Sequence, residues 1–215
     1  MERLNIIQTK EMLIYLAGKI IESKPYLTQV DSKIGDGDHG IGMETGFLKV
    51  KSVLEAKEFG SINDMFREIG MAMLNSMGGA SGVIFSSIFL GGIKGADTID
   101  ELTTVSFAQI MEKSLAVIKQ RGKAEPGDKT MVDAFEPACI AMSEYAAAGK
   151  DFTEMLAAAE KAAEQGMDAT KNYIAKFGRA KSLMERAIGY QDAGATSVYL
   201  MFRAMREWME QQKGE

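Results

Sequence analysis

Apolar residues recur along this chain at the spacing of amphipathic helices. Ile6, Leu13, Ala17, Ile20 and Ile21 share one helical face, and Pro25 is expected to stop that run. A second stripe uses Ile62, Met65, Phe66, Ile69, Ala72 and Met73, and a third uses Phe107, Ile110, Met111, Leu115 and Ile118. After the break at Pro126-Gly127, Met131, Phe135, Ala138, Met142 and Tyr145 make a fourth. Phe152, Met155, Leu156, Ala159, Ala162 and Ala163 follow, in an alanine-rich segment that favours helix. Val198, Met201, Phe202, Met205 and Trp208 close the series.

Two more segments read as helix on weaker patterns. One starts near Gly40 and continues through Phe47 and Val53. The other spans Ala80 to Leu90, where the apolar run is too continuous to show a single face. Periodicity cannot separate a buried helix from a buried strand there, but its length and helical neighbours favour helix. About eight helices with short connections predict an all-α, antiparallel helical assembly. No alternating strand pattern, internal repeat or linker divides the chain, so residues 1–215 are read as one domain. The 16 methionines suit irregular core gaps, because the thioether chain is flexible.

Composition narrows the function classes. Hydrophobic residues at 46% and charged residues at 26% are the balance of a soluble globular protein. A net charge of −5 argues against direct nucleic-acid contact, which needs clustered Lys and Arg. Cys139 is the single cysteine, so no intramolecular disulfide can form and a reducing cytoplasm is expected. The first residues do not lead into a signal-peptide core, and no apolar run approaches the length of a membrane span.

The densest chemistry lies in Asp36-Gly37-Asp38-His39-Gly40, with Asp31 five residues upstream of Asp36. Offsets of five and seven do not align carboxylates on a helical face, whereas Gly35, Gly37 and Gly40 permit a tight loop. Crowded carboxylates repel one another unless a cation sits among them. Oxygen ligands of this kind suit Mg²⁺, which often shares its coordination with phosphates. A solvated turn carrying a helix N-cap is the other use of the same residues. An EF-hand does not fit, since no acidic residue ends a twelve-residue loop.

Three further glycine-bearing segments interrupt the helical pattern. Gly78-Gly79-Ala80-Ser81-Gly82 precedes an apolar helix, so its backbone amides form an anion site or its small residues pack against a neighbour. It is not a Walker loop, because no Gly-Lys-Ser/Thr follows. The stretch Arg121-Gly122-Lys123-Ala124-Glu125-Pro126-Gly127-Asp128-Lys129-Thr130 sets three cations ahead of a helix, with Asp128 as the expected N-cap. Those cations are either solvated charges or part of a nucleotide site. The last runs from Gly178-Arg179 to Ser197, where Arg179 can hold phosphate and Asp192 can cap the final helix. His39 is the lone histidine, which with one cysteine argues against a zinc site, and Cys139 lies on an apolar helical face as a core residue.

Taken in order, these four segments resemble the nucleotide-binding L subunits of bacterial dihydroxyacetone kinases. The shared blocks are Gly35-Asp36-Gly37-Asp38-His39-Gly40, Gly78-Gly79-Ala80-Ser81-Gly82, Arg121 to Met131, and Gly189-Tyr190-Gln191-Asp192-Ala193-Gly194-Ala195-Thr196-Ser197. That resemblance implies a barrel of eight antiparallel helices with the nucleotide at one end. It implies that Asp31, Asp36 and Asp38 bind a pair of Mg²⁺ ions. His39, Gly40, Ile41 and Gly42, with Ala80 and Ser81, would contact ADP or ATP around its phosphates. Gly122, Met131, Arg179, Asp192, Ala193 and Gly194 would complete the pocket.

The resemblance also implies partners. Dihydroxyacetone would be held on a separate K subunit, and ADP would be rephosphorylated in place by a phosphohistidine-carrying M subunit. Binding to a transcriptional regulator and a homodimer are further expectations, as is the alternative of a nucleotide-binding module without turnover. Two positions depart from the family pattern. Gly42 stands where Asn is common, and Ala193 where Pro is common, which removes a side-chain amide and a restraint on the turn. A kinase for another short ketose, such as erythrulose, remains the neighbouring alternative.

Overall fold

A computed structural model describes residues 1–212. The described residues are predominantly helical, as the apolar spacing predicts. The helices are α1 (Ile6–Glu22), α2 (Lys24–Asp31), α3 (His39–Ala56), α4 (Ile62–Ser76) and α5 (Gly79–Ile93). They continue as α6 (Thr104–Gly122), α7 (Val132–Ala147), α8 (Phe152–Ala169) and α9 (Ala193–Gln211). Short 3₁₀ segments at Thr170–Asn172 and Arg179–Ala187 join α8 to α9.

The first run ends at Glu22, before Pro25 as the sequence predicts, and Pro25 sits in the first turn of a further short helix, α2. The missing N–H of proline costs nothing there, because first-turn amides have no helical partner. The chain also contains a small sheet that no alternation announced. Arg3–Asn5 (β1) pairs antiparallel with Glu101–Thr103 (β2), with Leu4 opposite Leu102. Three residues are too few to show a period of two. Each strand ends on a helix cap: Asn5 forms a capping box with Gln8 at α1, and Thr103 one with Ser106 at α6.

Packing follows chain order. The sequence α3, α4, α5, α6, α7, α8, α9 makes successive neighbours, α9 returns against α1, and α1 packs on α3. Helix α2 lies against α3 and touches α9. Phe47, Phe66, Phe135, Phe152 and Phe202 are fully buried between these helices, each contributing on the order of 2–3 kcal/mol of hydrophobic stabilisation. The tightest approach joins α7 and α8. Pro137 lacks the N–H that would bond the Asp133 carbonyl, and a Cβ at Gly166 would meet that carbonyl oxygen at 2.0 Å. Cys139 is buried, and burial raises its thiol pKa far above the ordinary range, as a core residue requires. Among the described residues, no helix is long and apolar enough to cross a membrane.

Candidate functional site

The starts of α3, α5 and α9 line one cleft of about 840 Å³, together with Thr130 and Met131 just before α7. Helix N-termini offer unpaired amides and a partial positive charge, so a cleft built from them favours an anion.

The acidic corner is assembled around α3. Asp31 ends α2, and its Oδ2 accepts the His39 backbone N–H at 3.2 Å. It thereby takes the capping role at α3. Asp38 occupies the N-cap position but makes no side-chain cap bond, so its carboxylate is left to the cleft. The loop between them needs its glycines: a Cβ on Gly35 would fall 2.2 Å from Asp31 Oδ1, and Gly37 has a left-handed φ of 77°. One carboxylate oxygen from each of Asp31, Asp36 and Asp38 lies within 4.8 Å of the others. Desolvation, then repulsion from Asp36 and Asp31, raises the pKa of Asp38. Three clustered oxygens under mutual repulsion are the donor set that a hard divalent cation fits. Arg179, at the start of the second 3₁₀ segment, places Nε 2.8 Å from Asp36 Oδ2 and is itself largely exposed.

His39 turns its ring into the protein. Its Nε2 lies 2.8 Å from the buried Ser197 Oγ, and its ring centroid is 5.9 Å from that of Phe85. Desolvation depresses its pKa despite the pull of Asp31, so the imidazole is neutral near pH 7. It ties α3 to α9 beside the cleft. Ala80 and Ser81 lie in the first turn of α5, which follows Gly78 with no side-chain cap bond. Asp192 caps α9 as expected, accepting the Ala195 N–H at 3.1 Å. Desolvation pushes its carboxyl up to about 6.

The cleft gathers most of the residues selected from the sequence. Asp31, Asp36, Asp38, His39, Ile41, Gly42, Ala80, Ser81, Met131, Arg179, Asp192, Ala193 and Gly194 all line it. Two lie behind the wall. Gly40 is buried where α3 crosses α2, and a Cβ there would meet the Lys24 carbonyl at 2.5 Å. Gly122 ends α6, and a Cβ there would stand 3.3 Å from Ile84, whose side chain lines the cleft. Asp128 is not an N-cap. Its carboxylate accepts the Glu125 N–H at 2.8 Å, while Asp133 inside α7 receives the Thr130 N–H at 2.7 Å.

Sequence reading missed Thr45, Met77 and Phe177, which also line the cleft. Thr45 was within reach, since it falls one helical turn beyond Ile41. Phe177 precedes Gly178-Arg179 but carries no polar signal. Lys129, open in the sequence between a solvated charge and part of a nucleotide site, lines the cleft as well and is buried.

The DAK2 domain pattern matches residues 33–207. This chain belongs to the DAK2 domain family. It is 36% identical over 187 residues to the ADP-binding subunit of a PEP-dependent dihydroxyacetone kinase of Listeria innocua, covering 87% of this chain and 88% of that one. Identity to the corresponding ADP-binding subunit of Escherichia coli is 38% over 180 residues, covering 84% of this chain and 86% of the other. A similar solved structure is the dihydroxyacetone kinase of C. freundii in complex with AMP-PNP and Mg²⁺. The match has a TM-score of 0.72 at 26% identity, and covers 92% of this chain but only 33% of that one.

Proposed function

We propose that this chain carries ADP or ATP with a pair of Mg²⁺ ions as a subunit of a dihydroxyacetone kinase. The phosphoryl group passes to dihydroxyacetone held on a separate K subunit, and ADP is rephosphorylated in place by a phosphohistidine-carrying M subunit. The observation that carries this reading is the meeting of three carboxylates, within 4.8 Å, with helix N-termini in one cleft. Either feature alone has a simpler use; together they match an anion that arrives with its cations. The relatives support it, since those of Listeria innocua and Escherichia coli are ADP-binding subunits of PEP-dependent dihydroxyacetone kinases.

Each residue then has a task. Asp31, Asp36 and Asp38 hold the cations, which supply charge neutralisation for the phosphate oxygens. The uncapped amides at Gly79, Ala80 and Ser81 face the phosphates, as do those of the first α3 turn at Ile41 and Gly42. Arg179, paired here with Asp36, would be free to hold a phosphate oxygen if Asp36 held a cation. Met131 and Ala193-Gly194 form the remaining wall. No side chain here acts as general base, because neutral His39 is committed to Ser197 and the acceptor hydroxyl comes from the partner. Phosphoryl transfer relies on positioning and charge stabilisation, which this arrangement supplies.

Native mass spectrometry of the purified protein tests nucleotide carriage, with a mass increment of ADP expected. Adding K-type and M-type partners with PEP and its phosphocarrier proteins, then assaying dihydroxyacetone against erythrulose, tests the reaction. Bound ADP without transfer to either ketose supports a nucleotide-binding module instead.

A further inference from the structure

Lys129 is a buried ammonium that the phosphate and metal roles above do not use. The residue is 3% exposed. Nζ donates to the Thr170 carbonyl at 2.6 Å and to the Tyr190 carbonyl. Asp192 and Asp133 are the carboxylates whose charge acts on it. The backbone at Lys129 adopts a left-handed φ of 60°, which is uncommon for a residue with a long side chain. Asp133 holds that turn by accepting the N–H groups of Gly127 and Thr130, at 2.5 and 2.7 Å. Thr170 extends the link, because its hydroxyl accepts the Asp192 N–H at 2.9 Å.

A single ammonium therefore joins three separate pieces of the cleft wall: the turn before α7, the end of α8 and the turn entering α9. These pieces present Thr130 and Met131 on one side and Asp192, Ala193 and Gly194 on the other. Burying an ammonium is costly unless carbonyls and counter-charges satisfy it, and an apolar side chain of similar length would fill the space without that cost. What the ammonium adds is a fixed distance between carbonyls on two turns. We propose that Lys129 is a positioning residue, which sets the start of α9 against Met131 at the width the nucleotide requires. This inference rests on the nucleotide reading above.

The test compares Lys129→Met with Lys129→Arg in the full chain. Hydrogen exchange is read without nucleotide, and Mg²⁺–ADP and Mn²⁺ affinities are read separately. In Lys129→Met, the amides of Gly194 and Ala195 are expected to exchange about tenfold faster, or more. ADP affinity falls about tenfold while Mn²⁺ affinity stays within about twofold. Lys129→Arg, which keeps charge and donors, recovers most of the ADP affinity. Unchanged exchange at Gly194 and Ala195, wild-type ADP affinity in Lys129→Met, or an arginine variant no better than methionine would each overturn the proposal. If Lys129→Met does not fold, Thr170→Val replaces it, because that change removes the hydroxyl link to Asp192. It is expected to weaken ADP about threefold or more, and wild-type affinity would be the contrary result. Because exchange is measured without nucleotide, it judges the clamp even where the wild-type protein binds no ADP, a result that counts against the nucleotide reading instead.

Discussion

The guanidinium of Arg179 lies 2.8 Å from the carboxylate of Asp36, bridging the 3₁₀ segment before α9 and the acidic loop before α3. Both side chains are solvent-accessible, so the pair adds at most about 1 kcal/mol to fold stability. In the proposed function its significance is positional: a cation competing for Asp36 would displace Arg179 toward the anion that accompanies it.

Arg179→Gln should therefore leave the melting temperature within about 2 °C of wild type. Mn²⁺ binding, followed by electron paramagnetic resonance of the free ion, should be as tight or tighter, because a competitor has been removed. ADP binding in Mg²⁺ should weaken about tenfold. Parallel loss of Mn²⁺ and ADP would contradict the separation of roles.

Asp38→Asn should reverse its effect with ligand. The folded-state pKa of Asp38 is raised, so its contribution is present below the unfolded pKa and is lost as pH rises through the folded one. At pH 7 in EDTA the variant, relieved of repulsion from Asp36 and Asp31, should melt on the order of 1–2 °C above wild type. With Mg²⁺ and ADP, wild type should melt higher, since ligand stabilises only the protein that binds it. Scanning calorimetry in both buffers checks the crossing.

Asp192 gives a pH test of the α9 start. Its folded pKa of about 6 exceeds the ordinary aspartate value of 3.8, so the stability it contributes at low pH is lost between roughly pH 4 and 6. Asn can cap the helix equally well but cannot ionise. Urea unfolding of Asp192→Asn should therefore compare progressively better with wild type as pH rises from 4 to 7. A constant difference across that range would contradict the raised pKa.

Two neighbouring glycines of α3 should respond in opposite ways. Gly40→Ala drives a methyl into the Lys24 carbonyl and Thr28 of α2, and should cost about 1–3 kcal/mol in denaturant unfolding. A Cβ at Gly42 meets nothing within 4 Å, so Gly42→Asn should gain a few tenths of a kcal/mol from better helix propensity. Because Gly42 lines the cleft, the same change should alter ADP affinity, measured by fluorescence titration.

Helices that bury one face were legible in the sequence, since repeated Ile, Met and Phe positions are what the packed interior selects. The α5 segment was read correctly from length and context rather than periodicity, because its N-terminal turns face the cleft while the rest is buried. Tertiary closure was not legible: nothing local in Ile6–Glu22 says that α9 packs on it. The clustering of Asp31, Asp36 and Asp38 was readable because they fall within eight residues among glycines, but their use was not, since a solvated turn employs the same residues. The roles of Asp128 and Lys129 were not legible. Asp128 reads as an N-cap and Lys129 as either a solvated charge or part of a nucleotide site, and only the fold shows that both are buried and paired with partners elsewhere in the chain.

Calorimetric titration of nucleotide-stripped protein with ADP, in Mg²⁺ and then in EDTA, tests the central claim most directly. The account predicts binding in Mg²⁺ that weakens at least about tenfold in EDTA, and equally in Asp36→Asn with its helical signal intact. Equal affinity in both buffers, or no binding in Mg²⁺, would contradict it.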